Sequence, residues 1–131
     1  MEARDDDHRP LVLLAGDNEG RRLHLCRLLR RYGYAVQLVT TPREVVHLVA
    51  MERPGLLLLD QVSLGGGTQQ LIRMVRAAET HLAVVVLTAF GAAEDTISCL
   101  RAGATDYISL PAQPEEVLDI VQRALARPMV Q

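Results

Sequence analysis

Three unbroken apolar runs limit what this chain can become: Leu11–Leu14, Leu56–Leu59 and Leu82–Leu87. A strand with one wet face alternates apolar and polar residues. A strand that is apolar at every position needs cover on both faces, and such strands belong to parallel sheets clothed by helices. The text between the runs reads as those helices. Leu23, Cys26, Leu29 and Tyr32 fall at helical spacing within 17–33, and Gly33 supplies a stop. Thr41-Pro42-Arg43-Glu44 has the form of a capping box with proline at the first helical position. It predicts a helix of about three turns ending near Arg53-Pro54-Gly55.

The remaining elements complete an alternation. A second strand is expected over 34–39. After Asp60 a glycine-rich loop leads to a third helix over 69–79. A fourth helix is expected over 93–103, a more polar fifth strand over 105–110, and a last helix opening at Pro114-Glu115-Glu116. Strand and helix thus alternate five times, which predicts right-handed crossovers and a three-layer, doubly wound α/β sandwich. With 131 residues there is room for one domain, expected over 11–127. Residues 1–10 read as a flexible arm, and 128–131 as a tail or the start of a linker.

Composition excludes several classes of function. The formal net charge is −2, so no bulk attraction to nucleic acid is expected. No apolar run is long enough to span a membrane, and the N-terminus lacks the apolar core of a signal peptide, which predicts a cytoplasmic protein. Cys26 and Cys99 are far apart and read as small buried residues. His8, His24, His47 and His81 fall in no metal spacing. Gly65-Gly66-Gly67-Thr68 lacks the lysine of a phosphate-cradling loop and reads as a flexible loop. With aromatic residues at 3%, there is little to stack on a flavin or nucleotide base, so a nucleotide- or flavin-binding enzyme is disfavoured.

In open α/β sheets the working site lies outside the carboxyl ends of the strands. Asp17 follows the first strand, Asp60 ends the third, and Thr88 ends the fourth. If the first and third strands are neighbours, Asp17 and Asp60 converge. Two carboxylates repel unless a cation or proton sits between them, and a hard divalent cation such as Mg²⁺ is the natural partner. A carboxylate beside such an ion is a candidate phosphoryl acceptor, with Thr88 adding a hydroxyl.

At this point the stretches LVLLAGDNE, PGLLLLD, VVVLTAFG, RAGATDYISLP and PEEVL, in that order and spacing, resemble the receiver domain of two-component response regulators. The resemblance runs from residue 11 to about 127. It implies a flavodoxin-like fold with strand order 2-1-3-4-5. It implies an acceptor of phosphoryl groups rather than an enzyme, served by a histidine kinase or histidine phosphotransferase. By the same resemblance Asp60 is the phosphoacceptor, Thr88 the hydroxyl partner of the phosphoryl group, and Tyr107 the aromatic switch. Asp17, Asp60 and the backbone carbonyl of Val62 are the Mg²⁺ ligands. Arg21, Arg22, Arg27, Arg30 and Arg31 make the first helix basic, and in the family that helix meets kinases and phosphotransferases. The family's usual homodimer surface lies on the side of the fourth and fifth strands, where no residue here specifies a dimer.

Three departures from the family pattern stand out. Gly16 occupies the first of two acidic positions, Leu110 occupies the place of a lysine, and Leu64 that of a proline. All fourteen basic residues are arginine, so no lysine elsewhere can supply the missing amine. A hydrogen bond to a charged group contributes about 1.5–3 kcal/mol, so losing the lysine costs roughly one to two powers of ten in the phosphorylated arrangement. Ser109 offers a neutral hydrogen bond in its stead if its side chain faces the pocket. Two readings follow: a receiver phosphorylated on Asp60 with Mg²⁺ binding weakened by Gly16, or a pseudo-receiver acting as a phosphorylation-independent interaction module.

Overall fold

The computed structural model describes residues 9–126. The expectations for residues 1–8 and for the tail beyond 127 lie outside the described residues. Five strands, β1 (Leu11–Ala15), β2 (Ala35–Val39), β3 (Leu56–Asp60), β4 (Ala83–Ala89) and β5 (Asp106–Leu110), form one sheet in the order β2-β1-β3-β4-β5. Every pairing is parallel. The helices are α1 (Glu19–Arg31), α2 (Pro42–Glu52), α3 (Gln61–Leu64), α4 (Gly67–Ala78), α5 (Ala93–Ala102) and α6 (Pro114–Ala126).

The three apolar runs are the three central strands, and their alternate residues feed two separate cores. Val12, Leu14, Leu56, Leu58, Val85 and Leu87 pack with Leu25 and Leu29 of α1 and Val117 and Val121 of α6. Leu13, Ala15, Leu57, Leu59, Val84 and Val86 pack on the other face with Val45 and Val49 of α2, Leu71, Ile72 and Val75 of α4, and Cys99 of α5. Burying each such valine, leucine or isoleucine stabilises the fold by about 1.5–3 kcal/mol, and the buried polar residues of the central strands, Asp60 and Thr88, sit at their carboxyl ends. Cys26 and Cys99 are free and buried, one in each core.

Helix ends follow local chemistry. Thr41 Oγ1 accepts from the Glu44 N–H at 3.3 Å, with Pro42 in the first turn, as the capping box required. Gly103, at φ +126°, ends α5 in a conformation that L side chains rarely adopt. The cap of α1 is Asn18, whose Oδ1 accepts from the Arg21 N–H at 2.8 Å.

The segment after Asp60 differs from the expected open loop. It holds the short helix α3, and α4 starts at Gly67 rather than 69. Asp60 itself caps α3, its Oδ1 accepting from the Ser63 N–H at 3.3 Å, and the Gly65 N–H closes the turn on the Gln61 carbonyl at 2.8 Å. Leu64, where the family has proline, is a good helix former and leaves the turn intact. Among the described residues no helix is long and apolar enough to cross a membrane.

Candidate functional site

Asp60 lies at the carboxyl end of the central strand and is only 1% exposed. A carboxylate at that depth has lost its water and must be met by donors or a cation. Arg21 meets it. From the first turns of α1 its Nε donates to Asp60 Oδ2 at 2.7 Å, forming a part-buried ion pair. Oδ1 serves the α3 cap. Ser63 ties the same corner together, its Oγ donating to the Asp60 carbonyl at 3.3 Å and accepting from the Asp17 N–H at 2.9 Å. Both carboxylate oxygens thus have partners within the chain.

Gly16 explains how the corner closes. A Cβ at this position would stand 2.7 Å from Asp60 Cβ, 3.2 Å from Ser63 Oγ and 3.3 Å from Asp60 Oδ2. Real Cβ atoms essentially never approach another atom to 2.7 Å. The missing acidic side chain is therefore more than a lost charge: the space it would need is filled by Asp60 and Ser63.

The other expected site residues fall around this centre. β1 and β3 are neighbours, so Asp17 and Asp60 stand on adjacent strand ends, but Asp17 is exposed while Asp60 is buried. Val62 is in α3, with an exposed side chain. In a helical turn a carbonyl points toward the following residues, away from the capping carboxylate. Thr88 is buried one residue beyond Leu87, the register partner of Asp60. It shares a cavity of about 330 Å³ with Tyr107, Ser109 and Phe90. Tyr107 is 41% exposed and Ser109 is exposed. Strand alternation sends Ser109 and its register partner Thr88 to the face opposite Ile108 and Leu110, away from the Asp60 core. Neither hydroxyl is among the partners of the Asp60 carboxylate, which are Arg21 and the Ser63 N–H.

Leu110 packs at the edge of the first core and lines a second cavity, of about 390 Å³, with Arg21, His24, Val62, Phe90 and Pro111. The lysine position has become an apolar wall. Nor is the basic face of α1 uniform. Arg21 turns to Asp60, Arg30 donates through Nη2 to the Val36 carbonyl at 2.9 Å, and the Arg22 Nε is buried with no hydrogen-bond partner. Arg27 and Arg31 remain exposed.

The fit of a Mg²⁺ ion can be judged from these donors. It requires several oxygen ligands at close range. Asp60 Oδ2 is held by a guanidinium, position 16 has no side chain, and no group of three His, Cys, Asp or Glu residues among the described residues could hold a metal. As arranged, the pocket does not fit the ion.

Sequence reasoning missed Arg21 and Ser63 as pocket residues. A signal for Arg21 was present: a chain without lysine, with a buried carboxylate at a strand end, must draw its cation from an arginine close to that end, and Arg21 lies four residues after Asp17.

Comparison with known proteins gives a consistent picture. The profile of the response regulator receiver domain matches residues 12–122. The response regulator MprA of Mycolicibacterium vanbaalenii is 32% identical over 116 residues, covering 88% of this chain and 50% of that protein. The response regulator protein FleR of Pseudomonas aeruginosa is 30% identical over 112 residues, covering 86% of this chain and 24% of that protein. The chain thus spans about half or less of the length of these relatives. A putative response regulator from Chloroflexus aurantiacus superposes with a TM-score of 0.85 at 28% identity, covering 91% of this chain and 99% of that one. The receiver domain of the sensor histidine kinase PA1611 of Pseudomonas aeruginosa, solved with a magnesium ion coordinated in its active-site cleft, superposes at 0.82 and 28% identity with the same coverage.

Proposed function

This chain belongs to the response regulator receiver domain family, and we propose that it takes a phosphoryl group on Asp60 from a histidine kinase or histidine phosphotransferase. The observation that carries the reading is the position of Asp60: a buried carboxylate at the end of the central strand, with a cation against it. In the transfer, a carboxylate oxygen bonds to the phosphorus of a phosphohistidine and the phosphorus–nitrogen bond breaks. The imidazole leaves with the electron pair. The product is an acyl phosphate, and the domain is an acceptor rather than a turnover enzyme. The guanidinium of Arg21 supports the reading, because a phosphoryl group adds about −1.5 to −2 charge that an adjacent cation offsets. Thr88, at the end of β4 beside Tyr107, serves as the hydroxyl partner by turning its hydroxyl toward the phosphoryl group, since it is not bonded to Asp60 at rest. Tyr107 serves as the switch, half-exposed beside a cavity with room for an aromatic ring. The exposed Arg27 and Arg31 of α1 supply charge for an acidic partner.

A second reading has its own support. Both oxygens of Asp60 are satisfied within the chain, Gly16 removes a carboxylate and Leu110 removes an ammonium, which favours a pseudo-receiver that binds partners without phosphorylation. Beryllofluoride separates the two, because it mimics an acyl phosphate without needing a donor protein. Under the first reading it shifts the amide resonances around Asp60, Thr88 and Tyr107 in the wild type or in Arg21→Gln, and the shifts vanish in Asp60→Ala. Flat spectra in both proteins at millimolar Mg²⁺ leave the pseudo-receiver reading.

A further inference from the structure

We propose that Arg21 is the resident cation of the acceptor pocket, holding Asp60 in the resting domain and keeping divalent cations off it. The inference deepens the acceptor reading of Asp60 by naming what regulates access to it.

Three features converge on Arg21. The first is contact: Arg21 Nε sits 2.7 Å from Asp60 Oδ2, with the arginine side chain 24% exposed and the aspartate side chain 2% exposed. A divalent ion on the same oxygen would stand within a few ångströms of the guanidinium, and like charges at that distance in a partly desolvated corner repel strongly. The second is space. Gly16 leaves no side chain between β1 and Asp60, and the aspartate fills what an acidic residue would occupy. Arg21 and Gly16 are thus one arrangement: the glycine lets Asp60 settle inward, and the arginine satisfies its charge there. The third is chain chemistry. There is no lysine anywhere, and Leu110 presents an apolar wall beside Arg21. No ammonium therefore competes with Arg21 for Asp60.

Arginine suits the role for a further reason. Its Nε engages Asp60 while the planar guanidinium extends to the cavity it shares with His24, Val62, Phe90 and Leu110. This cavity opens to solvent, so the remaining N–H groups are reachable from outside. An acidic group on a docking protein can compete for them and draw the guanidinium off Asp60. The resting pocket is then closed to small donors and ions, and opens when helix α1 is engaged.

The test is a titration with Mg²⁺ and with Mn²⁺, without any phosphodonor, on the wild type, Arg21→Gln, Arg21→Lys and Arg21→Gln/Asp60→Asn. Amide shifts and paramagnetic broadening near residue 60 are followed, together with the thermal midpoint. The expected result is no localised change in the wild type at low-millimolar metal, and saturable shifts with a raised midpoint in Arg21→Gln. The response should be at least tenfold weaker in Arg21→Lys and absent in the double variant. Circular dichroism verifies that each variant is folded, and the conservative lysine variant keeps the test valid if glutamine unfolds the corner. Wild type and Arg21→Gln binding metal equally, or neither binding it, overturns the proposal. Neither outcome bears on whether Asp60 accepts a phosphoryl group from a protein donor, which is read separately by mass.

Discussion

Arg21 Nε and Asp60 Oδ2 lie 2.7 Å apart, joining the first helix to the end of the central strand. The pair is part-buried, so removing one partner leaves the other inadequately solvated. Arg21→Ala should lower stability by about 1.5–3 kcal/mol at neutral pH, the range for a hydrogen bond to a charged group. Urea denaturation of the two single variants and the double variant Arg21→Ala/Asp60→Ala gives the coupling directly. A coupling of zero would show that the pair contributes nothing beyond proximity.

Gly16 makes a steric prediction. Because a Cβ there would stand 2.7 Å from Asp60 Cβ, even Gly16→Ala must shift β1 or the α3 corner. The expected loss is about 1–3 kcal/mol, the usual range for overpacking. Gly16→Asp should be no better and, with Arg21 in place, should gain no metal affinity. A Gly16→Asp variant as stable as the wild type that binds Mg²⁺ tightly would contradict the close approach described here.

Leu110→Lys adds an ammonium at the rim of the cavity that Arg21 lines. In the Arg21→Gln background, which frees Asp60, the expected outcome is a stronger amide-shift response to beryllofluoride than Arg21→Gln alone gives, because the added charge supports the mimic. A flat response would mean that the lysine is not the limiting defect and that the Gly16 corner is.

The alkaline side of the stability profile has a defined sign. Burial, and then the nearby Asp95 carboxylate, push the Cys99 thiol above its ordinary value, and burial pushes the Tyr34 phenol up. Above the unfolded-state values, ordinarily about 8.5 for thiol and 10 for phenol, the unfolded chain releases protons that the folded chain keeps. Stability is therefore full below pH ~8.5 and falls as pH rises past it. Cys99→Ala should flatten the first part of that fall. Cys99, buried in the core, should also resist alkylation at neutral pH until the chain is unfolded.

The fold was legible in the sequence because its strongest signal is physical. Leu56–Leu59 and Leu82–Leu87 are apolar at every position, which only a strand covered on both faces explains, and the two cores on opposite faces of the sheet use alternate residues of each run. The capping box at Thr41 was legible for the same kind of reason, since its donors and acceptors are local. The α3 turn was not, because GGG reads as a loop and the capping acceptor is Asp60, a residue already assigned another purpose. The position of Asp60 could be read from its place after the leucines. Its partner could not: a basic residue in the first helix reads as a solvated face, and only the tertiary approach of α1 to the end of β3 turns Arg21 inward. Gly16 read as a missing charge, whereas its principal effect is on space.

Phosphoryl acceptance by Asp60 is read from the intact mass of the wild type, Arg21→Gln and Asp60→Ala after incubation with a phosphorylated histidine phosphotransfer protein and, separately, with acetyl phosphate and Mg²⁺. The expected result is a single phosphoryl adduct, labile to hydroxylamine, on the wild type from the protein donor. Acetyl phosphate should label Arg21→Gln faster than the wild type, and Asp60→Ala should carry no adduct. Absence of an adduct on both the wild type and Arg21→Gln with either donor, or an adduct that persists in Asp60→Ala, would contradict phosphoryl acceptance by Asp60.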